Sequence, residues 1–163
     1  MNSTYNKMFN RACSYILKRI RTESEVRKYL FKLFGTLPEF KKVVDDVILK
    51  LIDLRYINDH QYVQIYVNSF MVKKIKSQFF LKRKLLEKGV KAEIIDSYFL
   101  NNPISDTELA IKSGKTIWSR YEKLEESVRK RRFINYLQRR GFSFEQALKS
   151  LESIRNNKEI EER

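Results

Sequence analysis

The sequence predicts an all-helical protein built from three similar units, and three observations carry that expectation. The signature G-x-x-x-E occurs three times, as Gly35 with Glu39, Gly89 with Glu93 and Gly141 with Glu145, with the glycines 54 and 52 residues apart. Such spacing marks a tandem array in which each unit buries its apolar face against a neighbour. Glycine takes the left-handed conformation that closes a helix, and a glutamate in the next first turn complements the helix dipole. The signature therefore writes a helix–glycine–helix corner three times. Apolar residues also recur at helical spacing, as in Phe40, Val44, Val47, Ile48 and Leu51, or Tyr62, Val63, Tyr66, Val67 and Phe70, with no strand-type alternation. Finally, four glycines and two prolines in 163 residues leave little material for long loops.

Nine helices follow in order. The first is expected over 6–20. The second, 23–34, opens on Thr22-x-x-Glu25 and closes at Gly35; the third, 37–55, opens on Thr36-x-x-Glu39. The corner Tyr56-Ile57-Asn58 ends the first unit, and Asn58-x-x-Gln61 starts a helix over 59–75. Helices over 77–88 and 91–100 flank Gly89, and Asn101-Asn102-Pro103 forms the next joint. Ser105-x-x-Glu108 opens 106–121, the carboxylates Glu125 and Glu126 suit the start of 125–140, and Ser143-x-x-Gln146 opens 143–156. The expected organisation is a repeat over 1–57, a second over 58–102, a third over 103–156 and a frayed tail over 157–163, together an elongated, curved array. Hydrophobic residues at 42% and aromatics at 13% suffice for a core.

Composition also bounds function. The stretch His60–Val72 is free of Asp, Glu, Lys and Arg but too short for the roughly 20 apolar residues of a membrane span. No signal-peptide pattern opens the chain and Cys13 is the only cysteine, so a cytoplasmic protein is expected. Thirty-four basic against 20 acidic residues give +14 and a pI near 9.9, which point to an anionic polymer as partner. The excess is distributed, at +6 over residues 1–57, +4 over 58–102 and +4 over 103–163.

Two windows concentrate it. No carboxylate occurs between Asp59 and Glu87, where Lys73, Lys74, Lys76, Lys82, Arg83 and Lys84 fall, nor between Glu126 and Glu145, where Arg129, Lys130, Arg131, Arg132, Arg139 and Arg140 fall. Such clusters neutralise phosphates and release counterions, and arginine binds phosphate bidentately. These twelve residues are the candidate contact sites, although charge runs on helices are ordinarily solvated faces. Phe79-Phe80 and Trp118-x-x-Tyr121 lie beside basic residues and could stack on unpaired bases, but at helical spacing most of these rings are assigned to the core.

Enzymatic readings fare poorly. Gly114-Lys115-Thr116 resembles the end of a phosphate-binding loop, yet Leu109 stands where that loop needs its first glycine. His60 has no second His or Cys at ligand spacing, Cys13 has no nearby base, and Asp45-Asp46 and Glu125-Glu126 point to different sides of their helices. No catalytic, metal or cofactor residue is assigned.

Four segments in order carry a family resemblance. Residues 17–27, with Arg19, Arg21, Glu25 and Arg27, resemble an R-x-R-S-x-x-E-L-R pattern. Residues 54–63, from Leu54-Arg55-Tyr56-Ile57-Asn58-Asp59 onward, are similar to L-G-Y-[LI]-[ND]-D, with Arg55 where glycine is usual. Lys84 to Val90 fits K-L-x-x-K-G-[IV], and Arg140-Gly141-Phe142-Ser143 fits R-G-F-S. Together they resemble the bacterial RecX family over nearly the whole chain. That resemblance implies three tandem three-helix repeats and a regulatory role in homologous recombination, DNA repair and the SOS response. It further implies binding in the groove of the RecA filament on single-stranded DNA, inhibition of RecA ATPase and strand exchange, and no enzyme activity or cofactor. The expected partners are RecA and single- or double-stranded DNA, with the chain a monomer. The alternative reading is a stand-alone, sequence-independent helical nucleic-acid binder or transcription regulator.

Overall fold

A computed structural model describes the backbone of residues 2–72 and 75–161 and the side chains of 3–71 and 75–156. The described residues form nine helices and no strands: α1 (Asn2–Ile16), α2 (Glu23–Phe34), α3 (Pro38–Asp53), α4 (Asp59–Val72), α5 (Gln78–Glu87), α6 (Ala92–Asn101), α7 (Asp106–Arg120), α8 (Glu126–Gln138) and α9 (Phe144–Glu161). The all-helical expectation holds, with most boundaries within a few residues of those read from caps and corners. Two compact units are present, Met1–Ile65 with Leu85–Tyr98, and Tyr66–Lys84 with Phe99–Arg163.

In the first unit α1, α2 and α3 pack together around Met8, Ala12, Val26, Leu30, Val44, Val47, Ile48, Leu51 and Ile57. The Thr22 hydroxyl accepts from the Glu25 N–H at 3.1 Å while the Glu25 carboxylate accepts from the Thr22 N–H at 3.3 Å, the full reciprocal cap. The first helix ends four residues before the expected Ile20, and Leu17 is 86% exposed. The next few residues are engaged elsewhere: the Arg21 guanidinium lies 3.9 Å from the centre of the Tyr15 ring, and Thr22 begins α2. The third helix also departs from expectation. Thr36 caps nothing there; Leu37 occupies the N-cap position without a side-chain bond, and Pro38 starts the helix with its preset φ and no N–H to satisfy.

In the second unit α7, α8 and α9 enclose a core that includes Trp118, Phe133, Leu137, Phe142, Leu151 and Ile154. Gly114 lies inside α7, not in a phosphate loop, and a Cβ there would stand 2.8 Å from the Phe133 ring. Ser105 caps α7 by accepting from the Glu108 N–H at 3.2 Å, and Ser143 and Gln146 bond reciprocally at the start of α9.

One joint is built twice, once in each unit. In the first, the Thr22 hydroxyl also donates to the Lys88 carbonyl at 2.7 Å, and the Glu23 N–H donates to Asp59 Oδ1 at 3.0 Å. Gly89 sits there at φ +77°, where a Cβ would lie 2.2 Å from the Ser24 hydroxyl. In the second, the Ser77 N–H donates to the Arg140 carbonyl at 3.1 Å, and the Gln78 N–H donates to Asp106 Oδ1 at 2.8 Å. Gly141 sits there at φ +89°, where a Cβ would lie 2.5 Å from the Ser77 hydroxyl and 2.7 Å from Phe80 Cβ. Each time a helix N-terminus meets a glycine corner at van der Waals contact, and an aspartate caps one of its orphan donors. Gly35, the corner of the first repeat, has φ +89° but only Phe40 at 4.0 Å near its missing Cβ.

Candidate nucleic-acid interface

The second unit gathers most of the basic residues proposed from the sequence. Ser77 starts α5 by accepting from the Phe80 N–H at 3.1 Å, and this fixes the Phe80 ring amid cations. Lys76 Nζ lies 4.3 Å from the centre of that ring, the Arg83 guanidinium 5.8 Å and Lys84 Nζ 6.0 Å. Lys82 Nζ lies 5.4 Å from the centre of the Phe99 ring. A ring's negative face holds such cations at about 0.5–1 kcal/mol each where exposed. Lys73 and Lys74 lie outside the described residues.

The second window divides. Lys130, Arg131 and Arg132 are exposed on α8. The Arg129 guanidinium instead lies 3.7 Å from the centre of the Trp118 ring and donates to the Trp118 carbonyl at 2.9 Å, so it helps hold α8 on α7. Arg140 lies 4.3 Å from the centre of the Tyr136 ring while its carbonyl serves the joint. Arg139 is exposed and, with Arg83, lines a cleft of about 670 Å3. Residues 56 positions apart in sequence are thus brought to one concave surface.

That cleft also contains rings the sequence did not single out correctly. Trp118 is buried at 2% exposure, as core assignment requires, but Phe79 is 67% exposed and Phe144 55% exposed, and both line the cleft with Gln138, Ser143, Gln146 and Asp106. Phe144 stands three residues before buried Ala147, on the helical stripe that continues through Leu151 and Ile154. Periodicity alone therefore assigns it to the core, whereas its position in the first turn of α9 carries it past the core edge. Phe79, Arg83 and exposed Leu86 fall at i, i+4 and i+7 of α5, a pattern that could have marked an outward stripe.

The acidic residues nearby are engaged. The Asp106 carboxylate accepts the Gln78 N–H, Glu145 pairs with Lys149 at 2.8 Å, and Glu126 pairs with Arg155. Glu125 caps α8, accepting from the Ser127 hydroxyl and from the Ser127 and Val128 N–H groups, which holds its carboxyl below the usual range. Lys149, through its hydrogen bond and charge, likewise lowers Glu145. Among the described residues, no group of three or more His, Cys, Asp or Glu could hold a metal ion, and no helix is long and apolar enough to cross a membrane.

Comparison with known proteins adds the lineage. Residues 105–150 match the family model "RecX, third three-helix domain". The chain is 32% identical over 143 residues to the regulatory protein RecX of Listeria innocua, covering 86% of this chain and 51% of that one. It is 32% identical over 152 residues to the regulatory protein RecX of Streptococcus agalactiae, covering 91% and 56%. The chain therefore spans about half the length of the curated relatives it matches. In fold it is similar to the crystal structure of RecX from Lactobacillus salivarius, with a TM-score of 0.77 at 24% identity over 94% of this chain and 98% of that one. With the repeated glycine corners, the family-model match and relatives along most of its length, this chain belongs to the RecX family.

Proposed function

We propose that this chain is a non-enzymatic regulator of the RecA filament on single-stranded DNA, and that it lowers RecA ATPase and strand exchange. The observation that carries the DNA side of the reading is the convergence of Arg83 and Arg139 on one aromatic-lined cleft, with Lys82, Lys84, Lys130, Arg131 and Arg132 in the same unit. Family membership supports the RecA side. In this reading the three repeats, 1–57, 58–102 and 103–156, are the repeated modules, the protein is a cytoplasmic monomer, and no cofactor takes part. Basic side chains meet the DNA backbone, and several separated contacts on one chain raise its effective concentration on a filament.

Co-sedimentation with preformed RecA filaments on single-stranded DNA tests this reading. The chain should pellet with the filament, and exchange of Lys130, Arg131, Arg132 and Arg139 for Ala should weaken pelleting without loss of helicity. A chain that stays in the supernatant with filaments, yet binds free DNA, would instead be the stand-alone nucleic-acid binder.

A further inference from the structure

The two joints allow a comparison within one molecule. Aligning their helix caps and glycine corners places Phe79 opposite Ser24, Arg83 opposite Lys28, Arg139 opposite Glu87 and Phe144 opposite Ala92. The joint in the first unit has the same aspartate cap and bonds the equivalent corner carbonyl, through the Thr22 hydroxyl where the second uses the Ser77 N–H, yet it lacks both rings and has an acid in place of one arginine. Its cleft carries Glu23, Asp59, His60, Arg55 and Lys91, a mixed set. The rings and arginines of the second cleft are therefore not needed to build the joint, and exposing two phenylalanines to water has a cost that the fold does not require.

What fits there is set by chemistry. Two exposed aromatic faces offer stacking surfaces to any base, Arg83 and Arg139 supply bidentate phosphate donors at the same cleft, and Gln146 adds an amide. Asp106 is the one acid lining the cleft, and its carboxylate is taken by the α5 N-terminus. A volume of about 670 Å3 lies within the roughly 300–1,000 Å3 of clefts that hold small ligands. We infer that this cleft holds an unstacked base of single-stranded nucleic acid against Phe79 and Phe144, with the flanking phosphates on Arg83 and Arg139. The inference rests on the proposed DNA contact of this unit and assigns it a base-binding pocket.

The full chain would be titrated against a fluorescent oligothymidylate, and against the same strand with abasic sites at its central positions, which keeps the phosphates and removes the bases. Stacking on one aromatic ring is worth about ten-fold in affinity. Wild type should bind the abasic strand at least ten-fold more weakly. The double variant Phe79→Ala, Phe144→Ala should lose at least ten-fold on the intact strand and nothing on the abasic one. Arg83→Ala with Arg139→Ala should lose affinity for both. Because the rings are exposed, the aromatic variant should keep its helicity; should it unfold, a 2-aminopurine placed in the strand reads the wild type directly and should be quenched on binding. Equal affinity of wild type for both strands, an unquenched 2-aminopurine, or an aromatic variant that loses affinity only when RecA is present would overturn the inference, the last by pointing to a protein side chain as the occupant. RecA binding measured separately by co-sedimentation keeps the two readings apart. An aromatic variant that binds intact strand like wild type while wild type still pellets with filaments overturns only the pocket.

Discussion

Arg55 shows how much one residue can reveal. Its φ of 59° is in the left-handed region, where an L side chain costs about 1–2 kcal/mol, and it is the non-glycine residue with positive φ among the described residues. Glycine relieves that strain but gives back part of it as unfolded-state entropy. Arg55→Gly is expected to stabilise the protein by about 0.5–1 kcal/mol in urea unfolding. The two kinds of glycine corner should separate in the opposite direction. Gly141→Ala combines a positive φ with a Cβ at 2.5 Å from Ser77 Oγ, whereas Gly35→Ala incurs only the backbone strain. Overpacking adds about 1–3 kcal/mol, so the former should be the more destabilising by that margin. All three glycine corners were legible in the sequence through their spacing. That Gly89 and Gly141 are seated against another helix was not, because the contact depends on Ser24 and Ser77, far away in the chain.

Asp59 adds a pH dependence. Burial raises its carboxyl above the ordinary 3.8, opposed by the Glu23 N–H that it accepts. A group raised in the folded state binds its proton more tightly there, so its contribution is fully present below the unfolded value and is lost as pH rises through the folded one. Stability should therefore carry a falling component from about pH 3.8 upward through the raised value. Asp59→Asn keeps an oxygen for the Glu23 N–H and should remove that component from a pH series of denaturant midpoints.

Among the elements, the sequence was most legible where a side chain closes its own helix end. The Thr22/Glu25 and Ser143/Gln146 pairs form both bonds, and Asn58 and Ser105 each form one. Thr36/Glu39 has the same spacing and fails because α3 starts at Pro38, which puts Leu37 and not Thr36 at the N-cap position. Ser77 lacks a Glu or Gln three residues on and so carries no capping-box pattern, yet it caps α5 and bonds the glycine corner. Ser77→Ala removes the cap beneath Phe80 and should cost about 1–2 kcal/mol, readable as a lower thermal midpoint. The candidate site was only half legible for a similar reason. Charge runs named Arg83 and Arg139, but only the folding of α5 against the α8–α9 corner shows that they share a cleft, and only exposure distinguishes Phe79 and Phe144 from core rings.

For the whole molecule the governing quantity is the net charge of +14. Binding to single-stranded DNA should weaken steeply with salt, with a log–log slope of about −0.7 per phosphate neutralised. Replacing Lys82, Arg83 and Lys84 by Glu should remove most of that affinity while leaving the circular dichroism spectrum unchanged. Insensitivity to salt would contradict phosphate contact.

ATP hydrolysis by RecA preassembled on single-stranded DNA reads the proposed regulation of the filament directly. Wild-type chain is expected to slow hydrolysis at amounts well below those that cover the DNA, and the variant with Lys130, Arg131, Arg132 and Arg139 changed to Ala to lose potency while remaining folded. Hydrolysis that is unaffected, or that slows only once the free DNA has been titrated out, would rule out action on the filament.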